Sequence, residues 1–291
     1  MAGRSSPTLR RRELGRLLRQ LREDQGLTID EVAAQLMCST SKVSRLETGL
    51  AGATPRDIRD LCALYEVTDE AERQQLMTLA REARQPGWWE KYDLSSAPYV
   101  SLETEAAWVS TYSLPVVPAL LQTEGYARAI LEVEKPPLDP MAIEQRIEAR
   151  LRRQKLLTID DGLFARCIVD EAALRRPIGG SVTMRDQVVR FIEAAKPTKL
   201  ISQIISFDVG PYSGLGNSFT VLQFASPAVN DVVCVERVLA KNYLESSTDL
   251  GRRRRVFRRR QSVALAPEDS AVMVEKIAAT YWDRYSLTRG F

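Results

Sequence analysis

Two amphipathic helical patterns stand end to end in "TIDEVAAQLMCSTSKVSRLETG", Thr28 to Gly49, with almost nothing between them. Thr28 with Glu31 three residues on has the form of a capping box. Ile29, Val32, Ala33 and Leu36 then mark a buried face. Ser39 caps the next helix, from which Val43 and Leu46 point inward. A turn as short as Met37-Cys38 fixes two such helices at a steep angle. The flanks extend the pattern. Leu14, Leu17, Leu18 and Leu21 put one leucine face on "RRELGRLLRQLREDQ", which Gly26 ends. In "TPRD", Thr54 is a cap and Pro55 a first helical residue, followed by the stripe Ile58, Leu61, Cys62, Tyr65. A fifth helix is expected from Thr68 to about Arg84, burying Leu76, Leu79 and Ala80. Residues 1–84 are thus expected to form a five-helix domain.

The outer face of the third helix is unusual. At about 100° per residue, Ser41, Ser44, Arg45 and Thr48 lie opposite Val43 and Leu46, with Thr40 at the N-terminal edge and Lys42 on the flank. A face meant only for solvent more often carries pairs of long opposite charges. Small hydroxyls let a helix approach a surface closely, and an arginine among them can grip guanine bidentately in the major groove. The preceding helix would cross the phosphate backbone with its positive end near Thr28. The alternative at each position is a solvated helix residue.

Charge is distributed to suit a polyanion. The net charge of the 291 residues is +3, but seven arginines precede position 23 against one acid, Glu13, and seven more lie between Arg252 and Arg260 with none. No apolar run approaches the ~20 residues needed to cross a membrane. The basic N-terminus lacks the apolar segment of a secretory signal, so a cytoplasmic, nucleoid-associated protein is expected. The chain has no histidine, which removes every Ser-His or Cys-His nucleophile arrangement and every histidine general base. No phosphate-cradling G-x-x-x-x-G-K-[ST] loop is present, and "GPYSGLGNSF" lacks the context of a dinucleotide fingerprint. Cys38, Cys62, Cys167 and Cys234 are scattered and read as buried free thiols rather than metal ligands. Neither catalysis nor a cofactor or metal is expected.

After a proline–glycine break, Trp88, Trp89 and Tyr92 make residues 85–100 an aromatic linker, suited to docking on a neighbouring domain or to lining a pocket. Residues 101–291 are read as α+β. Helices are expected over Glu103 to Tyr112, Gln122 to Glu132, Pro140 to Leu156 and "GSVTMRDQVVRFIEAAK", and a strand leading into a helix in "LFARCIVDEAAL". "TKLISQIISF", "SFTVLQFA" and "DVVCVER" read as further strands, two of them joined by "GPYSGLGN". The adjacent acids Asp170 and Glu171 could poise an acid and a base. Acids at a strand end that starts a helix are the plainer reading. In "GRRRRVFRRRQSVAL", Leu250, Phe257 and Val263-Ala264 leave a loose helical stripe with arginine on the other sides. These arginines are either a phosphate grip or a solvated face that balances an acid excess elsewhere after Arg84, 25 against 20.

From about Leu14 to Val67 the chain resembles the lambdoid-repressor-like, xenobiotic-response-element type of helix-turn-helix regulator, through "GLTIDEVAAQL" and "STSKVSRLETG". The outward positions of the third helix make Thr40, Ser41, Ser44 and Arg45 the candidate base contacts, and Thr28, Lys42 and Thr48 are the candidate phosphate contacts. The resemblance implies a structural ion pair between Arg22 and Glu47 beneath the reading face. The family usually places glycine at the turn, where this chain has Met37. A left-handed methionine is strained, so an altered turn is expected. From about Gly87 the chain resembles the C-terminal domain of actinobacterial antitoxin-like regulators, through "LPVVPALLQTEGYARAIL", "DEAALRRPIGG" and "GLGNSFTVLQF". Together these imply a DNA-binding transcriptional regulator whose second domain senses a signal or binds a partner. Its partners would be double-stranded DNA and a second copy of the chain. The alternative is an antitoxin-like protein that chiefly binds a small partner protein, with autoregulatory DNA binding.

Overall fold

The computed structural model describes residues 7–92, 94, 97–134, 136–159, 162–194, 199–213, 216–225, 229–236, 241–244 and 247–288. Arg4 of the basic N-terminus, Gly214 and Leu215 of the turn-rich link, and the flanking Lys196, Thr198 and Arg237 of predicted elements lie outside them. The chain divides into two compact units, Met1–Glu90 with Ser226–Asn230 and Lys91–Ala225 with Asp231–Phe291. None of the described helices is long and apolar enough to cross a membrane.

The first unit is built from α1 (Pro7–Asp24), α2 (Ile29–Gln35), α3 (Thr40–Glu47), α4 (Pro55–Leu64) and α5 (Glu70–Glu82). The side chains of Thr28, Ser39 and Thr54 each accept from the backbone N–H three residues on, and Glu31 and Asp57 complete capping boxes for α2 and α4. The fifth helix is capped by Asp69, one residue beyond the expected Thr68, and the Asp69 carboxylate accepts the N–H of Ala71. One core contains Leu14, Leu18, Val32, Val43, Ile58, Leu61, Tyr65 and Leu76.

The second unit is α+β. Its elements are α6 (Ala97–Glu105), β1 (Trp108–Ser113), α7 (Glu124–Leu131), α8 (Pro140–Gln154), β2 (Phe164–Asp170), α9 (Glu171–Arg175), α10 (Gly180–Ala194), β3 (Leu200–Ile205), β4 (Phe219–Gln223), β5 (Val232–Glu236), β6 (Lys241–Leu244), α11 (Ser247–Val263) and α12 (Pro267–Thr288). The strands form one mixed sheet in the order β3-β2-β1-β4-β5-β6. β1, β2 and β3 run parallel, and β4, β5 and β6 join antiparallel. The helix expected over Glu103 to Tyr112 is corrected here: helix stops at Glu105, and "WVSTYS" is a central strand. Its β-branched and aromatic residues fit a pleated surface, and pairing on both sides satisfies its backbone. β6 and α12 are additions to the elements expected from the sequence.

One sheet face packs on α11 through Tyr112, Ile168, Phe219, Val221 and Val233 against Leu250 and Phe257. On the other face, α6 and α8 bring together a buried carboxylate and its partners. Glu103 receives both Nε and Nη2 of Arg153, and the Tyr99 hydroxyl donates to it at 2.8 Å. Burial at this apolar interface raises the Tyr99 pKa well above its ordinary value. Asp170 caps α9 and accepts the Tyr212 hydroxyl at 2.7 Å, while Glu171 pairs with Arg175 and accepts the backbone N–H of Phe207. Both acids are therefore tied into structure. Burial pushes the Cys167 thiol up to about 12. Cys62 and Cys234 are also buried, whereas Cys38, expected inside, is half-buried beside the short turn.

The arginine run lies on α11, and helical period sorts it. Arg252, Arg255, Arg258 and Arg259 are exposed. Arg254 pairs with Asp231. Arg260 is only 1% exposed, so it belongs to neither expected role. Its guanidinium lies 3.5 Å from the Tyr112 ring centroid and 4.9 Å from that of Phe219, and its N–H groups reach the carbonyls of Ser213 and Asn217. Burial lowers its pKa, and the facing tyrosines offset part of that effect. Arg260→Ala is expected to cost about 2–3 kcal/mol in denaturant unfolding, from lost packing and a desolvated cation–π contact. Arg259→Ala should stay within about 0.5 kcal/mol.

Candidate nucleic-acid interface

The site is α3 and what holds it. α2 ends in a paired hydrogen-bond pattern in which the Cys38 N–H reaches Ala33 O at 2.9 Å and the Met37 N–H reaches Ala34 O at 3.2 Å. That pattern needs a left-handed residue, and Met37 supplies it at φ 48°. The altered turn expected from methionine is thus not found: the chain keeps the left-handed geometry with a residue that strains it. Met37 is 94% exposed, so no packing of its side chain offsets that strain. Ser39 follows directly as the α3 cap, its hydroxyl accepting from the Lys42 N–H.

Beneath α3, Arg22 at the end of α1 and Glu47 at the end of α3 form a fork. Nε–Oε1 is 2.7 Å and Nη2–Oε2 is 3.0 Å, while the third guanidinium nitrogen, Nη1, donates to Leu27 O at 2.6 Å. Both residues are buried. The hydrogen bond to Glu47 is the main cause that raises the Arg22 pKa, against the lowering effect of burial. α1 crosses α3 very closely. A Cβ on Gly15 would stand 2.5 Å from Glu47 O, and one on Gly49, at φ 68°, would stand 2.9 Å from the backbone of Arg12. Neither glycine was singled out from sequence as a contact point. The signal was available for Gly15, since glycine inside a leucine-striped helix costs about 1 kcal/mol against alanine unless something needs the space.

With the inner side so fixed, Thr40, Ser41, Lys42, Arg45 and Thr48 are exposed and Ser44 is half-exposed. Arg45 pairs with no acid among the described residues, leaving its guanidinium available. The Thr48 hydroxyl donates to Ser44 O at 2.8 Å, closing the last turn. Thr28 is exposed at the start of α2, with its side chain engaged by Glu31. Lys42 is different: its ammonium lies 2.6 Å from Asp57 Oδ1. Burial alone would raise the Asp57 pKa, but Lys42 and the Thr54 N–H and hydroxyl hold it below the ordinary carboxylate value. The Lys42–Asp57 contact joins α3 to the α4 cap and was not legible from spacing, because it depends on how the two helices are packed.

Residues 13–76 match the model of a helix-turn-helix domain, and residues 96–276 match that of a domain of unknown function, DUF5753. The second match takes in more than half the chain. The protein belongs to the DUF5753 family. In this DUF5753 protein the family domain follows a DNA-binding helix-turn-helix, which makes the chain a DNA-binding regulator. No curated protein and no solved structure matches it.

Two outcomes follow from the geometry. Glu47→Gln should cost about 3 kcal/mol in unfolding of the first unit, because it strands a buried guanidinium. The control Asp60→Asn, paired only with the exposed Arg56 and Arg59 among the described residues, should cost about 0.5 kcal/mol. Met37→Gly should raise stability by about 1 kcal/mol by relieving the left-handed backbone.

Proposed function

We propose that this DUF5753 protein is a transcriptional regulator that reads an operator with α3 in the major groove, in the manner of the lambdoid-type helix-turn-helix it resembles. Thr40, Ser41, Ser44 and Arg45 contact base edges, and Thr28, Lys42 and Thr48 contact phosphates. The observation that carries the reading is the exposed, small-hydroxyl face of α3 with Arg45 unpaired at its centre among the described residues. A helix that served only as packing would bury its side chains or cross-link them. The Arg22–Glu47 fork supports the same reading, since a reading helix must be held rigidly from below. Lys42 meets phosphate as one corner of a triangle with Asp57, so part of its charge is already spent within the protein.

One such module offers little contact area. The chain is therefore proposed to act as a homodimer on two half-sites one helical turn apart, ~34 Å. The second unit supplies the regulatory input.

Selection of bound sequences from a random DNA pool with the full chain, followed by titration of the selected site, tests this. Arg45→Ala should weaken the selected site by about 1–3 kcal/mol and relax one position of it. Lys42→Ala should weaken all sequences about equally and flatten the salt dependence by less than one full phosphate contact. Enrichment of no sequence, or an Arg45→Ala protein with unchanged preference, would defeat the proposal.

A further inference from the structure

Beside the apolar cluster under α11, the same sheet face opens into a cleft of about 400 Å³ between β1, β2, β4 and α11. Its polar lining is Ser110, Arg166, Gln223, Arg254, Arg258 and Gln261, and it includes no acid. The strand register explains the convergence: Ser110 of β1 stands directly between Arg166 of β2 and Val221 of β4. On α11, Arg254, Arg258 and Gln261 recur at helical spacing, so one side of the helix closes over that row.

The charges of this cleft do not balance within the protein. Arg254 is paired with Asp231. Arg166 and Arg258 have no acidic partner among the described residues. The Nε atoms of Arg166 and Arg254 are buried and donate to nothing. A guanidinium set on a central strand with an unsatisfied buried donor is costly, and an oxyanion is what satisfies it. Two uncompensated charges call for a dianion. A single carboxylate offers two oxygens and one charge, whereas a phosphomonoester offers three terminal oxygens and nearly two charges at neutral pH.

The cleft is larger than one phosphate group and lies within the size range of small-molecule sites, roughly 300–1,000 Å³. At its edge Trp108, in register with Gln223 and 39% exposed, stacks on Phe164 at 5.0 Å. That pair, with the Lys199 ammonium 5.8 Å from the Phe164 ring centroid, presents an aromatic surface on the row of the same sheet face next to the arginines.

We propose that this cleft binds a small phosphomonoester carrying a planar ring, of about mononucleotide size. Its further role as the regulatory input rests on the transcriptional reading above; the binding itself does not.

Calorimetric titration of the full chain with AMP, inorganic phosphate, adenosine and succinate tests the site. AMP should bind, inorganic phosphate should bind more weakly, and adenosine should give no measurable heat. Arg258→Gln and Arg166→Gln should each weaken AMP by about tenfold or more. Arg252→Gln and Arg259→Gln, on exposed positions of α11 outside the cleft lining, should leave affinity within about twofold. Because Arg166 is partly buried, the exposed Arg258 decides should Arg166→Gln fail to fold. The site is overturned if AMP gives no heat at millimolar concentration, or if Arg258→Gln binds as well as wild type. An equal loss from Arg252→Gln would reduce it to general charge attraction and overturn it too. Succinate binding as tightly as AMP would overturn the phosphomonoester assignment. Operator affinity with and without AMP then judges the regulatory role: an AMP-binding chain whose DNA affinity does not move refutes the coupling. Failure to bind any DNA would refute the transcriptional reading while the calorimetry still stands.

Discussion

The first unit depends on one buried contact, the fork between Arg22 and Glu47. It joins the last turn of α1 to the last turn of α3, and through Arg22 Nη1 it also fixes the loop carbonyl of Leu27 that leads into α2. The ends of two helices 25 residues apart and the loop that follows the first are thus tied by one guanidinium. Burying two charges is costly unless they are paired and hydrogen-bonded, and here all three guanidinium nitrogens and both carboxylate oxygens are engaged. The glycine contact at Gly15 brings the helices close enough for the fork to close. A short helix such as α3 has little intrinsic stability. Its orientation comes from this underside, and of its outward side chains only Lys42 and Thr48 also make structural contacts among the described residues, to Asp57 and the Ser44 carbonyl.

That division explains what could be read from the sequence. The five helices of the first unit were legible because caps, stripes and stop residues agree with one another in "TIDEVAAQL", "STSKVSRLE" and "TPRDIRDLC". The identity of the outward residues of α3 follows from period alone. The contact from Lys42 to Asp57 does not, since it requires knowing how α4 packs beside α3. In the second unit, Glu103 to Tyr112 misled because a helix end and a strand start share an apolar spacing over few residues. Only pairing with β2 and β4 decides that Trp108–Ser113 is extended. The exposed left-handed Met37 was misjudged for a related reason: the hydrogen bonds of the turn override the preference of one residue.

The arginine run shows how little composition says without geometry. Seven residues of one type on one helix meet different fates. Arg260 lies against aromatic rings in the core, Arg253 lies over the Phe219 ring, Arg254 is neutralised by Asp231, Arg258 stands at a cleft, and Arg252, Arg255 and Arg259 are exposed. A phosphate grip or a solvated face was the choice offered by charge alone. The 3.6-residue period and the sheet beneath replace that choice with a position-by-position answer.

The same logic bears on why a strand would carry Arg166 at all. An arginine on a central strand of a mixed sheet gives up hydration, and no acid among the described residues repays it. Hydrophobic residues of similar size would stabilise the unbound fold better. Retaining charge there makes sense for a state in which the cleft is filled, because a ligand that binds only the folded chain adds its binding free energy to stability. The cleft and α3 then share a principle. In each, a rigid framework of capped helices or paired strands holds guanidinium groups that the protein itself leaves unsatisfied, and what satisfies them comes from outside the chain.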